Sequence, residues 1–207
     1  MMTNINLQTL NLGKINQTII EILGKYCYKL THLSCELPLD NFLLFIKLLE
    51  TLKALEHLKL KLKLSPIVSD NYIVAFAGSL PNSLRKLGLN IYDEEGGNDE
   101  FIFYFLRILL ENLYCTNLSE LEFYNEQMIM NDNLRLILQF ALSRIGVGGY
   151  GSSNGGRFKS FKYARENYNV DFDHALLQSG REIIQIECEK ISDFYRPFYE
   201  PFGYEKD

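Results

Sequence analysis

The chain has 207 residues, 47% apolar and 23% charged, with 14 Phe, 13 Tyr and no Trp. That balance excludes a disordered chain and can fill the core of one large domain or two small ones. A net charge of −5 argues against a nucleic-acid binder. The four cysteines, Cys27, Cys35, Cys115 and Cys188, show no metal-ligand spacing and read as reduced thiols.

From the N-terminus, Met1–Asn6 carries no positive segment followed by an apolar block, so no secretory signal is read. The longest apolar stretch, Phe101–Leu110, is broken by Arg107 and is too short to cross a bilayer. These features give the expectation of a cytoplasmic protein that does not associate with a membrane. Along the rest of the chain one signature recurs, apolar-x-x-apolar-x-apolar. It stands at Leu7/Leu10/Leu12, Leu30/Leu33/Cys35, Leu55/Leu58/Leu60, Leu84/Leu87/Leu89, Leu118/Leu121/Phe123 and Phe158/Phe161/Tyr163. A seventh copy is read at Arg181/Ile184/Ile186, with its first position lost. The middle residues are separated by 23, 25, 29, 34, 40 and 23 residues.

Between these strand signatures the apolar residues switch to steps of three and four. The spacing predicts helices over Ile19–Tyr28, Asn41–Ala54, Asp70–Leu80, Phe101–Tyr114, Asn133–Arg144 and Phe172–Gln178. Asp40, Asp99 and Asp132 stand where the second, fourth and fifth of these would be capped. Strands alternating with helices across short connections imply a parallel sheet. Strand–helix units at this period bury their faces only against their neighbours, as in a solenoid.

On those residues, from Leu7 to Cys188, the chain resembles the leucine-rich-repeat family, whose unit begins L-x-x-L-x-L. Its repeat length is nearest to the strand–helix horseshoes that resemble ribonuclease inhibitor. The Asn or Cys that usually follows departs from the pattern, being Ile15, Pro38, Lys63, Tyr92, Glu126, Glu166 and Glu189 here. The resemblance implies an α/β fold, a short right-handed solenoid of about seven parallel strands with helices on the convex side. Residues 1–192 form the array, with a weak joint at 146–156. Residues 193–207 form an aromatic, proline-containing cap or tail in which Phe194, Phe198 and Phe202 cover the last repeat. Leu37–Leu44 faintly resembles the opening of an F-box, but it falls between a strand and its helix, where the repeat already accounts for it.

If the motif residues point inward, alternate residues build the opposite face of the sheet. Its three expected columns run Thr9, His32, His57, Lys86, Glu120, Ser160, Ile183; then Asn11, Ser34, Lys59, Gly88, Glu122, Lys162, Gln185; then Gly13, Glu36, Lys61, Asn90, Tyr124, Ala164, Glu187. Opposite charges are expected side by side at Lys61 and Glu36 and at Lys162 and Glu122. His32 and His57 are expected as neighbours roughly 5 Å apart, too few ligands for zinc.

Two insertions interrupt the rhythm. Asp93–Glu100 lacks the ligand order of a calcium loop, and the glycine-rich Gly146–Gly156 lies between helix and strand, the wrong order for a phosphate loop. With no activating Ser/His or Cys/His pattern, the sequence gives no catalytic residue, no cofactor and no metal. The reading is a non-catalytic module that binds a protein partner on the concave sheet face as scaffold, adaptor or substrate receptor. Its candidate contact residues are Lys59, Lys61, Asn90, Glu122 and Tyr124. The alternatives are a regulator or activator of an enzyme such as a GTPase, or the substrate-recognition subunit of a ubiquitin ligase.

Overall fold

A strand forms at each of the first six signatures, and a seventh strand begins just beyond the place read for it, in the computed structural model, which describes residues 7–63, 69–92, 99–125, 131–146, 159–165 and 185–190. The strands are β1 (Thr9–Lys14), β2 (His32–Leu37), β3 (His57–Lys63), β4 (Lys86–Tyr92), β5 (Glu120–Asn125), β6 (Ser160–Arg165) and β7 (Gln185–Lys190). They form one sheet in sequential order, and all six pairings are parallel. The helices are α1 (Gln17–Tyr26), α2 (Phe42–Thr51), α3 (Asp70–Ser79), α4 (Asp99–Glu111) and α5 (Asn131–Gly146). Each of these helices contacts the next in sequence, so they make a second layer beside the sheet. The fold is α/β with a repeated strand–helix unit.

The core lies between those layers. Period-two alternation runs longest in β3, where Leu58, Leu60 and Leu62 are buried and His57, Lys59, Lys61 and Lys63 are half-buried. The register lines up Leu33, Leu58, Leu87, Leu121 and Phe161 across five strands, with Cys35, Leu60, Leu89 and Phe123 as the next row. Helix residues at steps of three and four meet these rows: Ile20 and Leu23, Phe45 and Leu49, Ile73 and Phe76, Phe105 and Leu109 are all buried. Phe42 and Phe76 join α2 to α3 with ring centroids 5.5 Å apart.

A second repeat, in hydrogen bonds, underlies the first. Before four of the strands the motif's first leucine closes a turn, as Leu30 N–H donates to Cys27, Leu55 to Leu52, Leu84 to Pro81 and Leu118 to Cys115, at 2.9–3.4 Å. Two consecutive N–H groups then converge on one carbonyl of the preceding repeat. Thr31 and His32 donate to Gln8, Glu56 and His57 to Thr31, Arg85 and Lys86 to Glu56, Ser119 and Glu120 to Arg85, Lys159 and Ser160 to Ser119 (2.7–3.1 Å). Side chains reinforce the joint: the hydroxyls of Thr31, Ser83 and Ser119 donate to carbonyls of Gln8, Leu55 and Arg85. Each strand from β2 to β6 therefore starts at a fixed point on its neighbour, whatever the length of chain between them.

The structure corrects several expectations. Ile186 pairs with Phe161 and Cys188 with Tyr163, so the seventh signature is Ile183/Ile186/Cys188, intact in sequence and two residues beyond the one read. Gln185 therefore stands beside Ser160, Glu187 beside Lys162 and Glu189 beside Ala164. In β1 the register shifts after Asn11, which puts Lys14 rather than Gly13 opposite Glu36. Asp40 lies inside a 3₁₀ turn (Leu39–Asn41) and Asn41 precedes α2 without a side-chain cap, because Pro38 bends the chain into that turn first. Asn16, by contrast, does cap α1, its Oδ1 accepting from Ile19 N–H at 2.9 Å. The acidic stretch 93–98, the glycine-rich stretch 147–156, the helix expected over Phe172–Gln178 and the aromatic segment 193–207 lie outside the described residues.

Candidate interaction surface

Alternation places the polar residues of the strands on the sheet face opposite the helix layer. Here the register reproduces the expected columns from β2 to β6: His32, His57, Lys86, Glu120, Ser160 in one row and Ser34, Lys59, Gly88, Glu122, Lys162 in the next. The third row runs Glu36, Lys61, Asn90, Tyr124, Ala164. Lys59, Lys61, Asn90, Glu122 and Tyr124 therefore belong to one contiguous patch of β3–β5; for Tyr124 this placement follows from backbone register alone.

Within that patch the charges are knitted together. Lys61 Nζ lies 3.7 Å from Glu36 Oε2 and 4.9 Å from the centre of the Tyr92 ring. Glu122 is almost fully buried on the face, and its carboxylate takes an ion pair from Lys86 at 2.5 Å, while Glu120 stands 3.8 Å from the same ammonium. Lys162 is opposite Glu122 in register, as expected, but the ion pair described for Glu122 runs diagonally to Lys86. Gly88 makes room for this arrangement. A Cβ there would sit 3.1 Å from Lys59 Cγ and 3.4 Å from Glu122 Oε2, so these two side chains converge over the glycine.

Asn90 is the least comfortable residue on the surface. It is 1% exposed, and neither its Oδ1 nor its Nδ2 has a hydrogen-bond partner. Lys61 starts beside it on β3 and ends over Tyr92, two residues along β4, so the lysine stem crosses next to the amide. An unpartnered buried amide costs about 1–3 kcal/mol. Ser34 Oγ is likewise buried and unpartnered.

The two histidines come together as the columns require. Their ring centroids are 4.1 Å apart and the planes are tilted by 55°. Thr31 Oγ1 stands 2.9 Å from Gln8 O and 2.9 Å from His32 Nδ1. Thr31 and His32 are thus joined side chain to side chain, with the donor of that bond set by the imidazole tautomer. Burial first, then His32 and Lys86, hold the His57 imidazole below its ordinary value, against a weaker opposite pull from Glu120 and Glu56.

These side chains border a recess of about 330 Å³ that spans β1–β5. His32, Ser34, His57, Lys59, Lys86 and Glu122 line it, with Asn11 of β1 at the side, so the recess holds both charge signs. Sequence reasoning placed each of these residues in a column but did not find the hollow. It forms where short side chains (Thr9, Asn11, Ser34) stand beside longer ones, and only the register shows that.

Among the described residues no three His, Cys, Asp or Glu side chains gather as a metal site. Cys27, Cys35 and Cys115 are buried free thiols, and burial raises those of Cys27 and Cys35, the reverse of what a nucleophile requires. No helix among the described residues is long and apolar enough to cross a membrane. Neither a protein-family model nor a curated protein sequence matches the chain.

Proposed function

We propose that this chain is a leucine-rich-repeat solenoid, a short right-handed horseshoe that acts without chemistry of its own as a scaffold, adaptor or substrate receptor for a protein partner. The concave side of the horseshoe is the sheet face that carries Lys59, Lys61, Asn90, Glu122 and Tyr124. The observation that supports this reading is the recurrence of the same joint, two N–H groups on one carbonyl of the preceding repeat, at five successive strands. Such a joint repeats a platform rather than shaping a single cleft, and repeat platforms present wide binding surfaces. Tyrosine near the centre of a surface is a frequent binding anchor.

The test combines capture and mapping. Partners retained from native cell extract by the wild-type chain are challenged with the Lys61→Glu, Tyr124→Ala double variant, whose fold is checked by its thermal melt. Loss of capture with the fold intact supports docking on this face. Undiminished capture moves the site elsewhere, and turnover of a small substrate by the pure chain replaces the reading with an enzymatic one.

A further inference from the structure

We propose that the β1 end of the sheet is a docking surface for a second copy of this chain, joined head to head by antiparallel β1–β1 pairing about a twofold axis.

The repeated joint shows that this end is incomplete. From β2 to β6, two consecutive amides at the start of each strand donate to one carbonyl of the repeat before it. The same positions in β1 are Gln8 and Thr9, and neither amide has a partner among the described residues. His32 N–H bonds to Gln8 O, and Thr9 stands opposite His32 in register, so the Thr9 amide turns away from β2. Gln8 and Thr9 are both exposed. The leucine row opens at the same edge: Leu10 is only half-buried, whereas Leu33, Leu58 and Leu87, which continue the row, are buried.

Helix α1 is uncovered on the same side. Gly24 faces α2, where a Cβ would stand 3.5 Å from Leu48 Cδ1, and Ile20 and Leu23 are buried in the core. At about 100° per residue, Ile19, Ile22 and Tyr26 then form a stripe on the flank away from α2. Ile22 is 47% exposed, and Ile19 and Tyr26 are half-buried.

The occupant must bring two things, a strand for the edge and an apolar helix flank beside it. An extended peptide supplies only the first. The β1 end of a second copy supplies both, at the matching separation, because it is the same surface. A twofold axis perpendicular to the sheet keeps both helix layers on one side and sets α1 against α1, and such an isologous contact closes at two copies. The register of β1 is regular from Thr9 to Asn11 and shifts beyond. Pairing therefore centres on Leu10 and sets it beside Leu10 of the second copy, which carries the leucine row through the joint. The shift, with Lys14 after it, opposes slippage into a longer pairing. A strand edge of about 20 Å and two layers about 20 Å deep offer about 400 Å² per copy, so the contact is weak and depends on concentration.

Sedimentation velocity of the full chain, diluted from about 0.5 mM, tests this. We expect a monomer–dimer equilibrium without larger species. Ile22→Glu buries a charge only in the dimer, and Thr9→Pro removes an amide hydrogen that the monomer leaves unused. Each should raise the dimer Kd at least about tenfold. Val74→Glu, at a similarly exposed apolar position on α3, should leave it unchanged. Thermal melts check the fold of each variant. If Thr9→Pro fails to fold, hydrogen exchange of the wild type is the second readout, with the Thr9 amide becoming protected as concentration rises. A monomer at every concentration, an open series of larger oligomers, or a dimer weakened as much by Val74→Glu as by Ile22→Glu each overturns the proposal. Protection of the Thr9 amide only in complex with another protein overturns it as well and gives the edge to that partner. Lys61 and Tyr124 belong to β3 and β5, away from the β1 edge, so partner capture on the face and self-association succeed or fail separately.

Discussion

Replacing Asn90 by leucine should make the protein more stable, although it puts a large apolar group on the polar face of the sheet. The two side chains have the same number of heavy atoms and both branch at Cγ, so the exchange is close in shape. The wild-type amide is 1% exposed with both polar atoms unpartnered. Removing that burden returns about 1–3 kcal/mol. Fitting tetrahedral methyls where a planar amide lay, beside the Lys61 stem, takes back roughly 1 kcal/mol. The expected net gain is up to about 2 kcal/mol, a rise in Tm of up to about 8 °C for a chain of this size. Thermal melting by circular dichroism, with urea titration to verify an unchanged m-value, measures it. Asn90→Ala is the companion: it removes the amide but leaves a void, so it should come out near neutral. A loss of 1 kcal/mol or more in both variants refutes the reasoning, because it means the amide is satisfied in solution. A stabilised Asn90→Leu that also loses partner binding would show that the strain is kept for recognition.

Leu60 is fully buried at the centre of β3, and Leu60→Ala should cost about 2–5 kcal/mol in urea unfolding. Asn16→Ala removes the cap of α1 and should cost about 0.5–2 kcal/mol by the same assay. For pH, the folded-state value of His57 lies below its unfolded one, so the unfolded chain binds the proton more readily. Its contribution to stability is full above the ordinary imidazole range near 6.5 and is lost as pH falls through that range toward the folded value. Melting temperatures between pH 7.5 and 5.5 should therefore fall more steeply for the wild type than for His57→Gln, and parallel curves would contradict the assignment.

The columns of β2–β6 were legible in the sequence because a period of two leaves no freedom once one buried leucine per strand is identified. The last strand was misplaced by two residues because Arg181-x-x-Ile184-x-Ile186 and Ile183-x-x-Ile186-x-Cys188 overlap, and only hydrogen-bonded register separates them. The shift in β1 also escaped notice, since nothing in Asn11-Leu12-Gly13-Lys14 marks a bulge unambiguously. At the candidate surface the ion pair between Lys61 and Glu36 was readable as a direct lateral neighbour. The diagonal pair of Lys86 and Glu122, the burial of Asn90 and the recess beside the histidines were not. Each depends on where a long side chain lies down, and sequence spacing does not encode that.

The paired bonds onto the preceding carbonyl have a consequence for how such a surface can change. From Gln8 to Thr31, Glu56, Arg85 and Ser119, the anchoring carbonyls are set by the strand beside them, whereas the return path through the helix varies from repeat to repeat. The joint acts as a ruler: lateral distances across the face stay near one strand spacing, about 4.8 Å, even where the connection grows by a dozen residues or more. Lengthening a connection adds material at the ends of the strands and leaves the rows of facing side chains aligned. The columns of the face and the connecting segments are thus free to diversify independently, and an insertion that would shift the register of a hairpin-linked sheet is absorbed here without displacing the facing side chains.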